Sequence, residues 1–306
     1  MDISIVSPIY KADSIIDELV NRIQKSVSSF TNSFEIILVD DGSPDNSWLT
    51  IQENCKKDKN IKGIKLSRNF GQHYAITAGL EKAIGDYVVV IDCDLQTDPK
   101  YIYDMYQKAL NGNDIIYTKI ISKSHSLFKN IVSKLFSFLF NYLSDSNFYY
   151  SNNSTFTLLS RKAVNAFCSV RDSHRMYLLV LHWLGFKSDY VEILHSKRLS
   201  GKSSYTIFKL CELAVDGIIS QSTKLLRVSI VIGFVLSFIA LLVLTLILFM
   251  YFMHGLMQGW TSIICLILLS TGIVLISNGI LGLYLGKTFE QAKSRPLYLI
   301  DELANF

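Results

Sequence analysis

The stretch "IDCDLQTDP", residues 91–99, sets Asp92 and Asp94 one residue apart at the end of the apolar run "YVVVI", with Gln96 and Asp98 just beyond. In extended backbone, residues i and i+2 point the same way. Both carboxylates are therefore expected to face one pocket, with Cys93 turned into the core. Such a pair is either a solvated acidic turn or half of a metal site. Mg2+ or Mn2+ is often held by one or two carboxylates plus substrate phosphates, without an all-protein cage. That arrangement suits a nucleotide diphosphate, whose charge a divalent ion would neutralise. The chain has no GxxxxGK[ST] loop and no GxGxxG after its first strand, which argues against a P-loop NTPase and a dinucleotide cofactor.

The elements that must position these residues alternate along the chain. "ISIVSP", "FEIILVD", "IKGIKLS", "DYVVVID" and "DIIYTK" read as strands. Between them, "DSIIDELVNRIQKSV", "SPDNSWLTIQENCKK", "QHYAITAGLEKAI" and "PKYIYDMYQKAL" read as helices, the first capped by Asp13 or Ser14 and the second with Pro44 near its start. Alternation of this kind predicts an α/β fold with a doubly wound, mostly parallel sheet. Ligands of such sheets bind outside the carboxyl ends of the strands. Those ends carry Pro8 and Tyr10, then Asp40 and Asp41 in "VDDGSPDNS", then "SRNFGQ", then "DCDLQ". Alone, "DDGS" is an ordinary Asx turn at a helix start. Gathered along one edge, the polar ends favour a site.

Half of the 306 residues are hydrophobic, and the excess is concentrated after Arg227. Val228 to Met253 and Trp260 to Gly286 contain no Lys, Arg, Asp or Glu, and each exceeds the ~20 residues that cross a bilayer as a helix. Lys224 and Arg227 precede the first span, and Lys287, Lys293 and Arg295 follow the second, so both ends are expected in the cytoplasm. Trp260 stands where an interfacial aromatic would anchor the second span. Gly282 and Gly286, four apart, either permit close helix contact or are ordinary intramembrane glycines. No acid or base within the spans marks an ion pathway. The formal net charge of +4 is too small to point to nucleic acid and suits an anionic lipid surface. Five cysteines without a CxxC pair read as reduced thiols, and "MDISIVSPIY" reads as a strand, not a signal peptide.

Taken together, "SPIY", "VDDGSPDNS", "SRNFGQHYAITAG", "GDYVVVIDCDLQTDP", "HSKRLSGKSSYTIFKL", the two spans and "KTFEQAKSRPLY" resemble the inverting family 2 glycosyltransferases of GT-A fold, polyprenyl-phosphate subgroup. The resemblance covers nearly the whole chain. It implies a cytosolic GT-A domain over residues 1–205, juxtamembrane interfacial helices over 206–227, a transmembrane hairpin over 228–286 and a cytosolic tail over 287–306. It implies transfer of a hexose, with inversion, from a nucleotide-diphosphate sugar (a UDP-sugar by analogy) to a polyprenyl phosphate such as undecaprenyl phosphate, for cell-envelope glycans such as lipopolysaccharide. Catalytic roles then fall to Asp92, Asp94 and Arg198. Asp94 and Gln96 would hold Mg2+ or Mn2+. Pro8, Tyr10, Asp40 or Asp41, Arg68 and Asp92 would hold the nucleotide sugar, with Asp41 favoured over Asp40 and a structural ion pair as the other reading of Arg68.

Lys129 and Ser133 lie in "SLFKNIVSKLFSFLFNYL", which reads as a helix in the membrane interface or as a core helix. The resemblance assigns them, with Arg198 and Lys202, to the acceptor phosphate. Some relatives carry an aspartate proposed as a catalytic base where "NSTFTLLSR" has Thr155. Relatives also include tetramers, so a homo-oligomer is an expectation. Two other readings are a family 2 enzyme acting on a lipid-linked glycan and a non-catalytic membrane scaffold that binds nucleotide.

Overall fold

The computed structural model describes residues 1–121, 153–173, 175–194, 222–254 and 259–306. These fall into two compact units: residues up to 194 together with 295–306, and residues 222–294.

In the first unit the strands are β1 (Ile3–Ile9), β2 (Phe34–Asp40), β3 (Ile61–Leu66), β4 (Tyr87–Val90), β5 (Ile115–Ile120), β6 (Asn153–Ser160), β7 (Ser188–Ile193) and β8 (Ile300–Ala304). They form one sheet in the order β7-β5-β6-β4-β1-β2-β3-β8. The central run β4-β1-β2-β3 is parallel, whereas β6 lies antiparallel to β4 and β5, and β8 antiparallel to β3. The sheet is thus mixed around a parallel centre. Its helices are α1 (Ile16–Val27), α2 (Ser47–Lys57), α3 (Gln72–Lys82), α4 (Tyr101–Leu110), α5 (Arg161–Ser169) and α6 (Tyr177–Trp183).

Strands β1 and β2 are buried along their whole length, which explains why they read as continuous apolar runs. Successive residues serve opposite faces. Ile36 and Leu38 join the core that α1, α2 and α4 cover, while Ile37 and Val39 join the core under α3, α5 and α6. Gly79 lets α3 press on β1, since a Cβ there would stand 2.3 Å from Val6 Cγ1.

Two local readings need correction. Helix α1 begins after Ile15, with no side-chain cap; Asp13 instead accepts from the Ser14 amide, and the acidic Asp17 and Glu18 occupy the first turn. The closing residues are not a separate tail. After Lys293, Tyr298 reaches Glu81 on α3, Leu299 O accepts from Ser67 N at 2.9 Å, and β8 pairs with the edge of β3. Glu302 on β8 accepts from Trp48 Nε1 at 3.0 Å and from Lys65 Nζ at 2.7 Å. Five residues with alternating side chains give a weak strand signal, and their partner lies more than 230 positions upstream.

The second unit contains α7 (Lys224–His254, 31 residues) and α8 (Trp260–Ala292, 33 residues). Each is long and apolar enough to cross a membrane, and large side chains such as Phe234, Phe249 and Leu275 stand exposed. Helix α8 continues past Gly286, the expected end of the span. Its glycines at 272, 279, 282 and 286 have no neighbour within 4 Å of a built Cβ.

At the amino ends of the strands, fully buried Glu35 accepts from Ser4 Oγ at 2.5 Å and from the Ile84 amide at 2.8 Å, and pairs with Lys62 Nζ at 2.8 Å. It joins β1, β2, β3 and the turn before β4. Removing one partner of a buried pair leaves the other uncompensated, at a cost of about 3–5 kcal/mol. Glu35→Ala is therefore expected to lower unfolding stability by roughly 3 kcal/mol, measured by urea denaturation in detergent.

Candidate active site

Four parallel strands deliver their carboxyl ends to one edge, and a cleft of about 310 Å³ opens there. Pro8, Ile9 and Tyr10 from β1, Asp41 after β2, Asn69, Gly71 and Gln72 from the β3–α3 junction, and Asp92, Cys93 and Asp94 after β4 line it. This is the crevice where ligands of such sheets bind.

Asp41 fixes one wall. Its Oδ1 accepts from the Phe70 amide at 2.7 Å and its Oδ2 from the Gly71 amide at 2.9 Å. Gly42 lets the two loops meet. Its φ is +64°, and a Cβ would stand 2.4 Å from the Arg68 carbonyl carbon. Gly71, at φ +109°, then starts α3, placing the Asp41 charge near the positive end of that helix. Burial nevertheless raises the Asp41 carboxyl above its ordinary value, outweighing the two amide donors. Asp40 is also raised by burial. It accepts from the Ser43 amide and lies outside the cleft lining.

The opposite wall is a turn, not a strand. β4 ends at Val90, so the extended-pleat argument does not place Asp92 and Asp94. The chain reverses at Leu95, a left-handed residue with φ 55° whose side chain is buried in the core. Asp94 Oδ1 accepts from the Gln96 amide at 3.1 Å, a local Asx-type bond. Both carboxylates still line the cleft. Asp92 Oδ1 accepts from Gln72 Nε2 at 2.6 Å, and its Oδ2 accepts from the Thr155 hydroxyl. Cys93 packs against the core and also lines the cleft; desolvation pushes its thiol up to about 12, so it stays protonated and inert.

Tyr10, 43% exposed, stands at the mouth, followed by the left-handed Lys11 at φ 54°. Non-glycine residues in this region persist only where the surrounding structure holds them, and such residues cluster at binding sites. Arg68 is exposed and outside the lining. Its guanidinium sits 4.2 Å over the Phe70 ring, and it makes no ion pair among the described residues. Gln96 is half-buried and likewise outside the lining. Lys129, Ser133, Arg198 and Lys202 lie outside the described residues. The fold thus brings together Pro8, Tyr10, Asp41, Asp92 and Asp94. It adds Gln72 and Asn69, whose only sequence signal was the polar end "SRNFGQ".

Comparison with known proteins agrees with this architecture. The family model described as "Glycosyl transferase family 2" matches residues 4–169. An uncharacterised glycosyltransferase, YkcC of Bacillus subtilis, is 32% identical over 301 residues, covering 98% of this chain and 93% of that protein. A prophage bactoprenol glucosyl transferase homolog of Escherichia coli is 30% identical over 99% of each chain. The undecaprenyl-phosphate 4-deoxy-4-formamido-L-arabinose transferase of Proteus mirabilis is 27% identical over 98% of this chain and 93% of its own. Among solved structures, glucosyl-3-phosphoglycerate synthase from Mycobacterium tuberculosis, crystallised with Mn2+, UDP and phosphoglyceric acid, shares the fold at a TM-score of 0.50. It is 16% identical and covers 72% of this chain and 76% of that one.

Two tests follow from the Asp41 anchor. Asp41→Asn keeps the shape but cannot accept both amides, and a hydrogen bond to a charged group contributes about 1.5–3 kcal/mol. Amide exchange at Phe70 and Gly71 is expected to speed up roughly 10- to 100-fold. The sign with pH is set by the raised folded carboxyl. The folded state holds its proton more tightly than the unfolded chain, so this group favours folding at low pH. That contribution is lost as pH rises from the ordinary value of about 3.9 through the folded value. Unfolding titrations of the wild type should show this fall, and Asp41→Asn should remove it.

Proposed function

The chain belongs to glycosyl transferase family 2, and from that premise we propose that it transfers a hexose from a UDP-sugar to a polyprenyl phosphate at the cytoplasmic face of a membrane, with inversion. What carries this reading is the meeting of Asp92 and Asp94 with Tyr10 and Asp41 in one cleft at the carboxyl ends of the parallel strands. The lipid-phosphate acceptor is supported by the full-length similarity to proteins named for undecaprenyl phosphate and bactoprenol, and by two helices able to cross a membrane.

Tyr10 offers an exposed ring for a base, and Asp41 braces the loop that would border the ribose. Asp92 faces the donor sugar or ribose. Asp94 in the cleft lining is the candidate for Mg2+ or Mn2+, with Gln96, two residues on and outside that lining, as the expected second ligand. Among the described residues no cluster of three or more His, Cys, Asp or Glu forms a closed cage, and a single aspartate with an amide fits an ion whose remaining ligands are phosphate oxygens and water. When bound, such an ion would offset charge on the departing diphosphate.

The acceptor phosphate supplies the nucleophile. Its second pKa is about 6, so at neutral pH a phosphate oxygen carries the lone pair without a protein base. That oxygen bonds to the anomeric carbon from the face opposite the leaving group. The bond to the β-phosphate oxygen breaks, and UDP takes the electron pair. Thr155, at the position of a proposed base in relatives, donates a hydrogen bond to Asp92, and an ionised acceptor leaves no proton to be removed there. Lys129, Ser133, Arg198 and Lys202 are the candidates for holding the acceptor phosphate. Lys224, Arg227, Lys287, Lys293 and Arg295 would keep both ends of the hairpin on the cytoplasmic side.

The test is transfer of label from a panel of radiolabelled nucleotide sugars to undecaprenyl phosphate, with purified protein in detergent and Mg2+ or Mn2+. Label from one donor should enter the organic phase, EDTA should abolish it, and Asp94→Ala should lower kcat/KM by roughly 100-fold or more. Protein that binds UDP but labels no lipid would instead point to a lipid-linked glycan as acceptor, or to a scaffold.

A further inference from the structure

Thr155 sits where β6 leaves the regular ladder. Against β4, the antiparallel register runs from Tyr87 opposite Ser160 to Val90 opposite Thr157. Thr155 lies two residues beyond the last of these pairs, and its hydroxyl reaches Asp92 past the end of β4. Against β5 the register slips: Tyr117 pairs with Thr157, but the next residue, Thr118, pairs with Ser154. Thr155 and Phe156 are left without partners on β5. Bulges of this kind re-aim side chains and are common beside active sites. This one is fastened from within. Phe156 is fully buried, and its carbonyl accepts from Thr118 Oγ1 at 2.7 Å.

The hydroxyl so presented donates to Asp92 Oδ2, while Gln72 at the start of α3 donates to Oδ1 at 2.6 Å. Both arms of this clamp return to one residue. Next to Gln72, His73 Nδ1 accepts from the Tyr177 amide at 3.3 Å, and desolvation lowers that imidazole to about 4, keeping it neutral and able to accept. Two residues from Thr155, Thr157 Oγ1 lies 2.6 Å from the Tyr177 hydroxyl. Tyr177 is fully buried. The α3 arm and the β6 arm thus both meet Tyr177, one at its backbone amide and the other at its hydroxyl.

We propose that Thr155 is a positioning residue for sugar transfer: its hydroxyl, working with Gln72, fixes the Asp92 carboxylate in the orientation that meets the nucleotide sugar. This inference rests on the donor-site reading above. It gives the position a task that needs a neutral donor. A valine at 155 would remove this donor from Oδ2.

The experiment measures UDP affinity by calorimetry in Mn2+, and donor KM and kcat wherever transfer is seen, for the wild type, Thr155→Val, Thr155→Ser, Asp92→Ala and the Asp92→Ala/Thr155→Val double variant, with a thermal melt of each. Thr155→Val is expected to weaken UDP binding and raise donor KM about 10-fold, and Thr155→Ser to stay within about 2-fold of wild type. In the Asp92→Ala background, Thr155→Val should cost nothing further, because a residue acting through Asp92 has no effect once Asp92 is gone. Full additivity, a silent Thr155→Val, or a Thr155→Ser as poor as the valine would each overturn the proposal, as would a wild type that binds no UDP. If Thr155→Val does not fold, Gln72→Leu tests the other arm by the same cycle and is held to the same outcomes. A wild type that binds UDP yet transfers nothing defeats the functional reading, while the binding cycle still decides the role of Thr155.

Discussion

Much of the cleft depends on a carboxylate bonded to backbone amides. Asp41 spends a lone pair of each oxygen on the amides of Phe70 and Gly71. Without those bonds, the segment between β3 and α3 would expose two amide donors near the cleft and lose its register with β2. With them, the loop turns sharply enough for Gly71 to start α3 and for Gln72 to reach across to Asp92. Two walls that belong to different βαβ units are joined through this short relay. The arrangement tolerates little variation at Gly42, where any side chain would meet the Arg68 backbone.

The relay has an energetic cost. Burial disfavours the ionised forms of both Asp40 and Asp41. At neutral pH the fold therefore holds two adjacent carboxylates in surroundings that resist their charge. The left-handed Lys11 and Leu95, each next in sequence to a lining residue, add backbone conformations that non-glycine residues avoid. Packing offsets this elsewhere: the central strands are buried end to end, and at the opposite edge Glu35 ties three strands and a turn together. Stability concentrates at the amino ends of the strands and strain at their carboxyl ends, which is the division expected of a binding site built on a rigid sheet.

The sequence made the framework readable because parallel strands buried on both faces leave unbroken apolar runs, and amphipathic helices between them leave a period of their own. It also made the acidic strand ends readable. It did not reveal how Asp92 and Asp94 reach the same cleft. Asp92 and Asp94 do not stand on extended backbone: they lead into a turn at Leu95, which is left-handed with its side chain buried. Gln72 gave only a polar letter at a helix start, and its role appears once the cross-sheet distance to Asp92 is known. Strand β8 was hidden for a different reason: its pairing with β3 joins opposite ends of the chain, and no local pattern encodes a contact of that separation.

Thr155 joins these two kinds of evidence. Read along the chain, it is a gap in a family pattern, a hydroxyl where a base is proposed in relatives. Read in space, it is a donor to an acidic side chain, presented by a bulge that Thr118 and Phe156 hold in place. An acceptor that arrives already ionised has no proton for the enzyme to remove. A side chain at that position is then free of acid–base work, and the remaining demand on it is geometric. A hydroxyl at this position meets that demand with no charge of its own. A residue without a carboxylate at 155 fits the phosphate nucleophile proposed above.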